Sequence, residues 1–426
     1  MKLTKTILCC ALALLLLWGA MLGASVLTAS IPQSAVEENV RQAAAFYESA
    51  DMFQQLWECD SSTVVHHYAD AVLLNILWNQ DSSQPLRAAL DSVYYRDDPS
   101  AQGKNLAATV SGAAPNTSYA RYWHGMLLFL KPLLTVTTMD GIKIIGAVAL
   151  AALMAVYFVL LLRRKLPALA VGSAVGLVLV QIWIVPMCVE YYACFALMFL
   201  FADWVLWRKG QLKCDALLFL LAGALTCYFD FLTCELLTLG LPLLCLLLLR
   251  GEGGKTALFT MIRCCAAWLL AYGLTWLYKW GLSALVLGRS LSAVITDQAL
   301  FWINGPLAMD VGFLPLTAIV INLGRLFPMK LVQRASSIWL CFSGVCLVLF
   351  ALWYLFRREH GEKGRTWPLL LIALMPLVRF AAIGNHAILH PFFTYRLLFL
   401  TITAVTCALA QTVQFRKTPV KKGRKR

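Results

Sequence analysis

ALLFLLAGALTCYFDFLTCELLTLGLPLLCLLLL occupies residues 216–249, and its length decides how the whole chain is read. Two apolar runs flank a short turn, YFDFLTCE (228–235), that carries Asp230 and Glu235. A complete helical hairpin within 34 residues leaves about 16 residues for each helix at 1.5 Å per residue, or roughly 24 Å. That falls short of a hydrocarbon core of about 30 Å. The turn therefore sits below the headgroups, where its two carboxylates need a cavity lined by water or protein.

The surrounding composition makes the bilayer the relevant solvent. The chain is 60% apolar and only 14% charged, with a mean hydropathy of +0.72, outside the range of soluble globular proteins. A net charge of +14 does not indicate a nucleic-acid partner, because the bases stand in short clusters beside apolar runs. The densest cluster, 416–426, holds seven Lys or Arg and no acid, as expected of a solvated tail near anionic lipid. Most of the 14 cysteines fall inside apolar runs. With no CxxC pair and no paired Cys/His spacing, neither a disulfide framework nor a zinc site is expected.

Working outward from the hairpin, the apolar runs predict an all-α, polytopic integral membrane protein with about ten transmembrane helices. The first run, 7–29, follows Lys2 and Lys5, is long, and lacks a small-x-small cleavage site, so 1–29 reads as an uncleaved signal anchor. The others are 139–162, 166–185, 187–207, 215–231, 235–249, 257–285, 336–356, 367–384 and 396–415. Together with the first they divide the chain into the anchor, a polar segment 30–138, a multi-span region 139–415 and a basic tail 416–426. Basic residues in alternate loops fix the sides. Arg163 to Lys165, Arg208 to Lys213, Arg250 with Lys255, and Arg357 to Arg365 share one side with the tail. Both termini are then cytoplasmic, and the protein is a multi-pass protein of the cell membrane. Residues 311–329 are apolar but interrupted by Pro315, Asn322, Arg325 and Pro328. They read as a re-entrant or interfacial helix of the outer loop between spans seven and eight.

The segment 30–138 becomes a large first extracytoplasmic loop, with eleven acids between Glu37 and Asp98. Ser34 and Glu37 have the spacing of a capping box, and Val36, Val40, Ala44 and Tyr47 recur at helical spacing, which predicts interfacial helices. Glu37, Glu38, Glu48 and Asp51 read as a solvated face. In 118–131, a helix would align Arg121, His124, Leu128 and Lys131 on one face. Lys279 reads as a lysine snorkelling to the outer interface.

The costly ionisable residues gather on the outer side. They are Asp70, Arg121 and His124 of the first loop, Glu190 between spans three and four, and Asp230 and Glu235 of the hairpin. Arg379, His386, His390, Tyr395 and Arg396 complete the set around NHAILHPFFTYR (385–396). The i, i+4 spacing of His386 and His390 suits a metal pair, yet no acid is local. Donors for an anionic group, with Arg396 available for bidentate phosphate contact, fit better. A polar turn that bonds helix ends is the plainer alternative. Asp70 also fits a charge favoured at a helix N-terminus.

This pattern resembles the polytopic glycosyltransferases of the GT-C type, which share a first span, a large first outer loop with interfacial helices, and about eight to thirteen spans. RYWHG (121–125), YFDFLT (228–233) and HPFFTYR (390–396) also resemble stretches of uncharacterised bacterial membrane proteins near that group. The resemblance implies transfer of a sugar from a polyprenyl-phosphate carrier, at the extracytoplasmic face, to an envelope glycan or protein acceptor. The expected partners are therefore membrane lipid, the lipid-linked sugar and that acceptor. The family's acid usually follows the first span closely. Here Asp70 lies further along the loop, and Glu37 and Glu38 have the pattern of a surface pair.

Under that resemblance Asp70, with Asp230 in reserve, takes the acceptor's proton. Arg396, His386, His390 and Arg121 stabilise the leaving phosphate, and Glu190, Glu235, Arg379, His124 and Tyr395 complete the binding set. No cofactor is firmly implied. A divalent cation held by the acids is compatible with the chemistry, though no spacing calls for one. Two other classes fit the composition. A flippase or transporter of a lipid-linked substrate would want charges near the midplane and a structural repeat. A noncatalytic partner in envelope-polymer assembly would pair its outer polar groups and leave no cavity.

Overall fold

A backbone inside a bilayer has no water to bond, so apolar runs of this length close their hydrogen bonds as helices. The computed structural model describes residues 2–57, 60–305, 314–326 and 363–412. The expected span 336–356 and the basic tail 416–426 lie outside the described residues. The described chain is mostly helical, with few strands. Among the described residues, six helices are long and apolar enough to cross a membrane: Thr4–Ala29, Met139–Arg163, Val189–Trp207, Gly254–Leu287, Gly364–Ala382 and Pro391–Thr412. Pro167–Leu179, Asp215–Phe229, Leu237–Arg250 and Leu314–Gly324 are shorter apolar helices.

After α1 (Lys2–Ala29), residues 30–138 form a packed unit of α2 (Glu37–Ser49), β1 (Phe53–Trp57), β2 (Asp60–His66), α3 (His67–Trp78) and α4 (Pro85–Asp91), followed by β3 (Val93–Tyr94), α5 (Gln102–Val110), β4 (Thr117–Ser118) and α6 (Leu127–Leu133). Val36, Val40, Ala44 and Tyr47 are buried, as their spacing predicts. The capping box does not form. Gln33–Ala35 is a 3-10 turn, and α2 starts after Val36 with no side-chain cap. Glu37 instead meets Arg41 at 2.9 Å on the exposed face. The two antiparallel hairpins, which pair Phe53 with His66 and Val93 with Ser118, have no counterpart in the sequence reading.

A second difference concerns 118–131. Residues 119–126 are turn rather than helix, with His124 at φ +55°, so the face of Arg121, His124, Leu128 and Lys131 does not exist. Gly125 explains the departure. Its N–H donates to the Tyr228 carbonyl at 3.0 Å, and a Cβ there would lie 2.4 Å from that oxygen. Lys131 is fully buried and donates to Gln80 at 3.1 Å and to the carbonyl of Ala29, the last residue of α1, at 3.4 Å. Burial pushes its pKa down to about 8. Lys279 does not snorkel. It is fully buried and donates to the carbonyls of Ala89 and Leu90 at 3.3 and 2.8 Å, near the end of α4. Both lysines satisfy carbonyls that a helix C-terminus leaves open.

The bundle continues with α7 (Met139–Arg163), α8 (Pro167–Leu179), α9 (Val189–Trp207), α10 (Asp215–Phe229), α11 (Leu237–Arg250) and α12 (Gly254–Leu287). The basic loops converge at one end. Arg164 donates to the Leu206 and Trp207 carbonyls, Arg250 to Gly210 and to Asp215 at 2.7 Å, and Gly253 packs on Gly364. α10 and α11 have 15 and 14 residues, so each is about 22 Å long. Their turn points to the other end, where the first-loop unit and residues 384–397 also lie.

Candidate functional site

A cavity of about 490 Å³ opens at that second end, within the range of about 300–1,000 Å³ common for ligand sites. Two aromatic walls enclose it. In one, Tyr94, Tyr119, Tyr122, His124 and Phe231 pack ring to ring. Arg121 lies over the Tyr119 ring at 4.3 Å and the Tyr122 ring at 5.3 Å. In the other wall, Phe53 stacks on His66 at 4.9 Å, Phe392 packs on both, and His390 stacks on Phe393 at 5.2 Å. The Trp302 ring stands at right angles to His386 at 4.7 Å. Arg96 lines the first wall, and among the described residues Glu190 is the one carboxylate that lines the cavity.

His66 ends β2, so its ring direction follows from the hairpin register that sets it opposite Phe53. Its backbone N–H donates to Cys188 Sγ at 3.2 Å. Its Nδ1 meets Glu190 Oε2 at 2.7 Å. Glu190 belongs to the first turn of α9, where the helix dipole favours a carboxylate. The partners are 124 residues apart, a distance at which sequence alone gives no sign of the pairing. His66 was therefore missed, although HHYAD displays it.

Three histidines that line the cavity, His124, His386 and His390, are held neutral by burial. Burial lowers the pKa of His390 to about 4 and that of His124 to about 3, and pushes that of His386 well below its ordinary value. His124 Nε2 lies 3.1 Å from the Tyr119 carbonyl, so Nε2 carries the proton. Its Nδ1 is then a buried acceptor with no partner among the described residues. Arg121 Nε is likewise unpartnered. Unmet buried groups of this kind cost about 1–3 kcal/mol each, and a ligand can meet them.

Five of the residues singled out from sequence therefore line the cavity: Arg121, His124, Glu190, His386 and His390. The remainder lie around it in other roles. Asp70 is fully buried in a knot. One carboxylate oxygen accepts the Val189 N–H at 3.1 Å, and the other meets Lys143 at 2.8 Å and Tyr47 at 3.2 Å. Asp230 closes its own turn, accepting the Thr233 N–H at 3.1 Å as well as the Thr233 hydroxyl. Glu235 pairs with Arg379 at 2.9 Å, and Arg379 also donates to the Leu232 carbonyl and approaches His386 Nδ1 at 3.3 Å. Arg396 is fully buried between Tyr191 and Tyr395 and donates to the Phe392 carbonyl. The Tyr395 hydroxyl donates to the Val180 carbonyl at 3.2 Å. Among the described residues, no group of three or more His, Cys, Asp or Glu side chains is placed to hold a metal ion.

Beside the cavity runs an apolar groove of about 400 Å³ along α6, α7 and α9. Met126, Val189 and Phe229 line the groove, while their near neighbours His124, Glu190 and Phe231 line the cavity. The same three stretches of chain thus form walls of both. No protein-family model matches this chain, and no curated protein or solved structure gives a significant match.

Proposed function

We propose that the protein is a membrane glycosyltransferase that moves a sugar from a polyprenyl-phosphate carrier to an envelope acceptor at the extracytoplasmic face. The observation that carries this reading is the adjacency of the two spaces. A substrate with an apolar chain, an anionic link and a polyhydroxylated head needs a groove beside a polar, aromatic cavity. Both are present and share their walls. Aromatic rings offer flat faces to a sugar, and Arg121 and Arg96 supply fixed positive charge for a phosphate. The reading keeps the all-α, GT-C-like topology of ten spans. Six long helices, the shorter α8, α10 and α11, and the span that hydropathy predicts at 336–356 make up that number. Both termini then lie in the cytoplasm, with the cavity outside.

The roles differ from those the sequence suggested. Charge developing on the leaving phosphate meets Arg121, since Arg396 is enclosed by tyrosines away from the cavity lining. The acceptor's proton leaves on the side of the His66–Glu190 pair, because Asp70 has its oxygens occupied by structural partners. The experiment uses purified protein in lipid nanodiscs with radiolabelled polyprenyl-phosphate hexoses and a panel of envelope glycan acceptors. Wild-type protein should transfer label, and Arg121→Ala should lower the rate by about 10²–10³-fold, the typical loss when a charge-stabilising donor is removed. Absence of transfer or hydrolysis with every donor would sink the proposal.

A further inference from the structure

Resting on that glycosyl-transfer reading, we propose that His66, and no carboxylate, is the general base of the reaction, with Glu190 as its positioning residue. Three features lead there. First, a carboxylate only accepts, so the 2.7 Å contact with Glu190 requires His66 Nδ1 to carry the proton. In the neutral imidazole this fixes one tautomer, with the free lone pair on Nε2. Second, among the described residues no group hydrogen-bonds Nε2, although the residue is 4% exposed and lines the cavity. Third, the ring cannot turn away. Phe53 stacks on one face, Tyr191 lies parallel at 6.0 Å, and the ring stays at the end of a strand whose register is set by pairing. A base oriented by a third group is the arrangement that makes a side chain effective in proton abstraction.

The step balances without any further reactant. The acceptor hydroxyl oxygen forms a bond to the anomeric carbon as the bond from that carbon to the phosphate oxygen breaks. The electron pair of the broken bond leaves on the lipid phosphate, which gains one negative charge. The hydroxyl proton passes to His66 Nε2, and Glu190 stabilises the imidazolium until the proton escapes through the cavity mouth. Glu190 never receives it.

The test uses full-length protein in nanodiscs with the radiolabelled polyprenyl-phosphate hexose that the wild type turns over best. His66→Gly should lower kcat by about 10²–10⁴-fold, the usual contribution of a general base, with donor KM changed less than threefold. Added imidazole should restore the rate at least tenfold by occupying the vacated space. Glu190→Gln should lower kcat by a smaller factor than His66→Gly, and imidazole should not rescue it. The inference falls if His66→Gln keeps kcat within twofold. It also falls if folded His66→Gly binds donor, is inactive and gains nothing from imidazole, since His66 would then be structural. Both outcomes presuppose an active wild type. An inactive wild type instead removes the reading on which the inference rests.

Discussion

Asp70 shows how far a single residue can be read from its neighbours in sequence. The stretch HHYADAVLLN offers a carboxylate ahead of an apolar helix, in a loop expected to carry the catalytic acid. What that stretch omits is Lys143, Val189 and Tyr47, the partners that occupy both oxygens. Buried ion pairs broken from one side typically cost about 3–5 kcal/mol, because the remaining charge stays buried without compensation. Asp70→Asn should therefore lower stability by about 3 kcal/mol in detergent unfolding while leaving turnover per folded molecule within twofold. Lost turnover at undiminished stability would return Asp70 to the chemistry. Residue types at the cavity end were legible in the sequence, since expensive groups there announce themselves. Their division into cavity lining and structural clamp was not, because each clamp joins residues distant along the chain.

At the scale of elements, hydropathy identified the apolar helices, because the bilayer imposes one pattern on all of them. The first-loop unit escaped that logic. Its two hairpins are held by pairing rather than by periodicity, and the turn at 119–126 is set by a glycine that admits a neighbouring backbone. Gly125→Ala would place a methyl group 2.4 Å from the Tyr228 carbonyl oxygen and 2.6 Å from its ring. Overpacking of this kind costs about 1–3 kcal/mol. The thermal midpoint of the variant should fall, and transfer should fall with it, since His124 moves with the turn. An unchanged midpoint would mean that the turn and the α10–α11 hairpin are not locked together. The same lock explains why the arginine and histidine of RYWHG reach one cavity without the helix that their spacing suggested.

For the whole molecule, charge placement in the loops is the most economical signal of sidedness, because it needs no knowledge of packing. The basic loops converge at one end and the cavity opens at the other. Which end faces outward is testable on intact cells. A membrane-impermeant maleimide should modify Ala114→Cys, in the first-loop unit, and should spare Arg208→Cys until the cells are opened. The reverse pattern would invert the topology and with it the proposed face of reaction.

The α10–α11 hairpin adds a consequence for the membrane itself. At about 22 Å its helices are shorter than a hydrocarbon core of about 30 Å, yet no residue of 215–250 is exposed and Leu237–Leu247 is buried throughout, so protein rather than lipid surrounds the pair. A short helix that faces lipid forces the bilayer to thin. One enclosed by its neighbours spends the same shortfall as depth inside the protein, where Phe231 of the turn lines the cavity. Bilayer thickness then has little hold on the hairpin, and the depth of the cavity should be the same in thin and thick membranes.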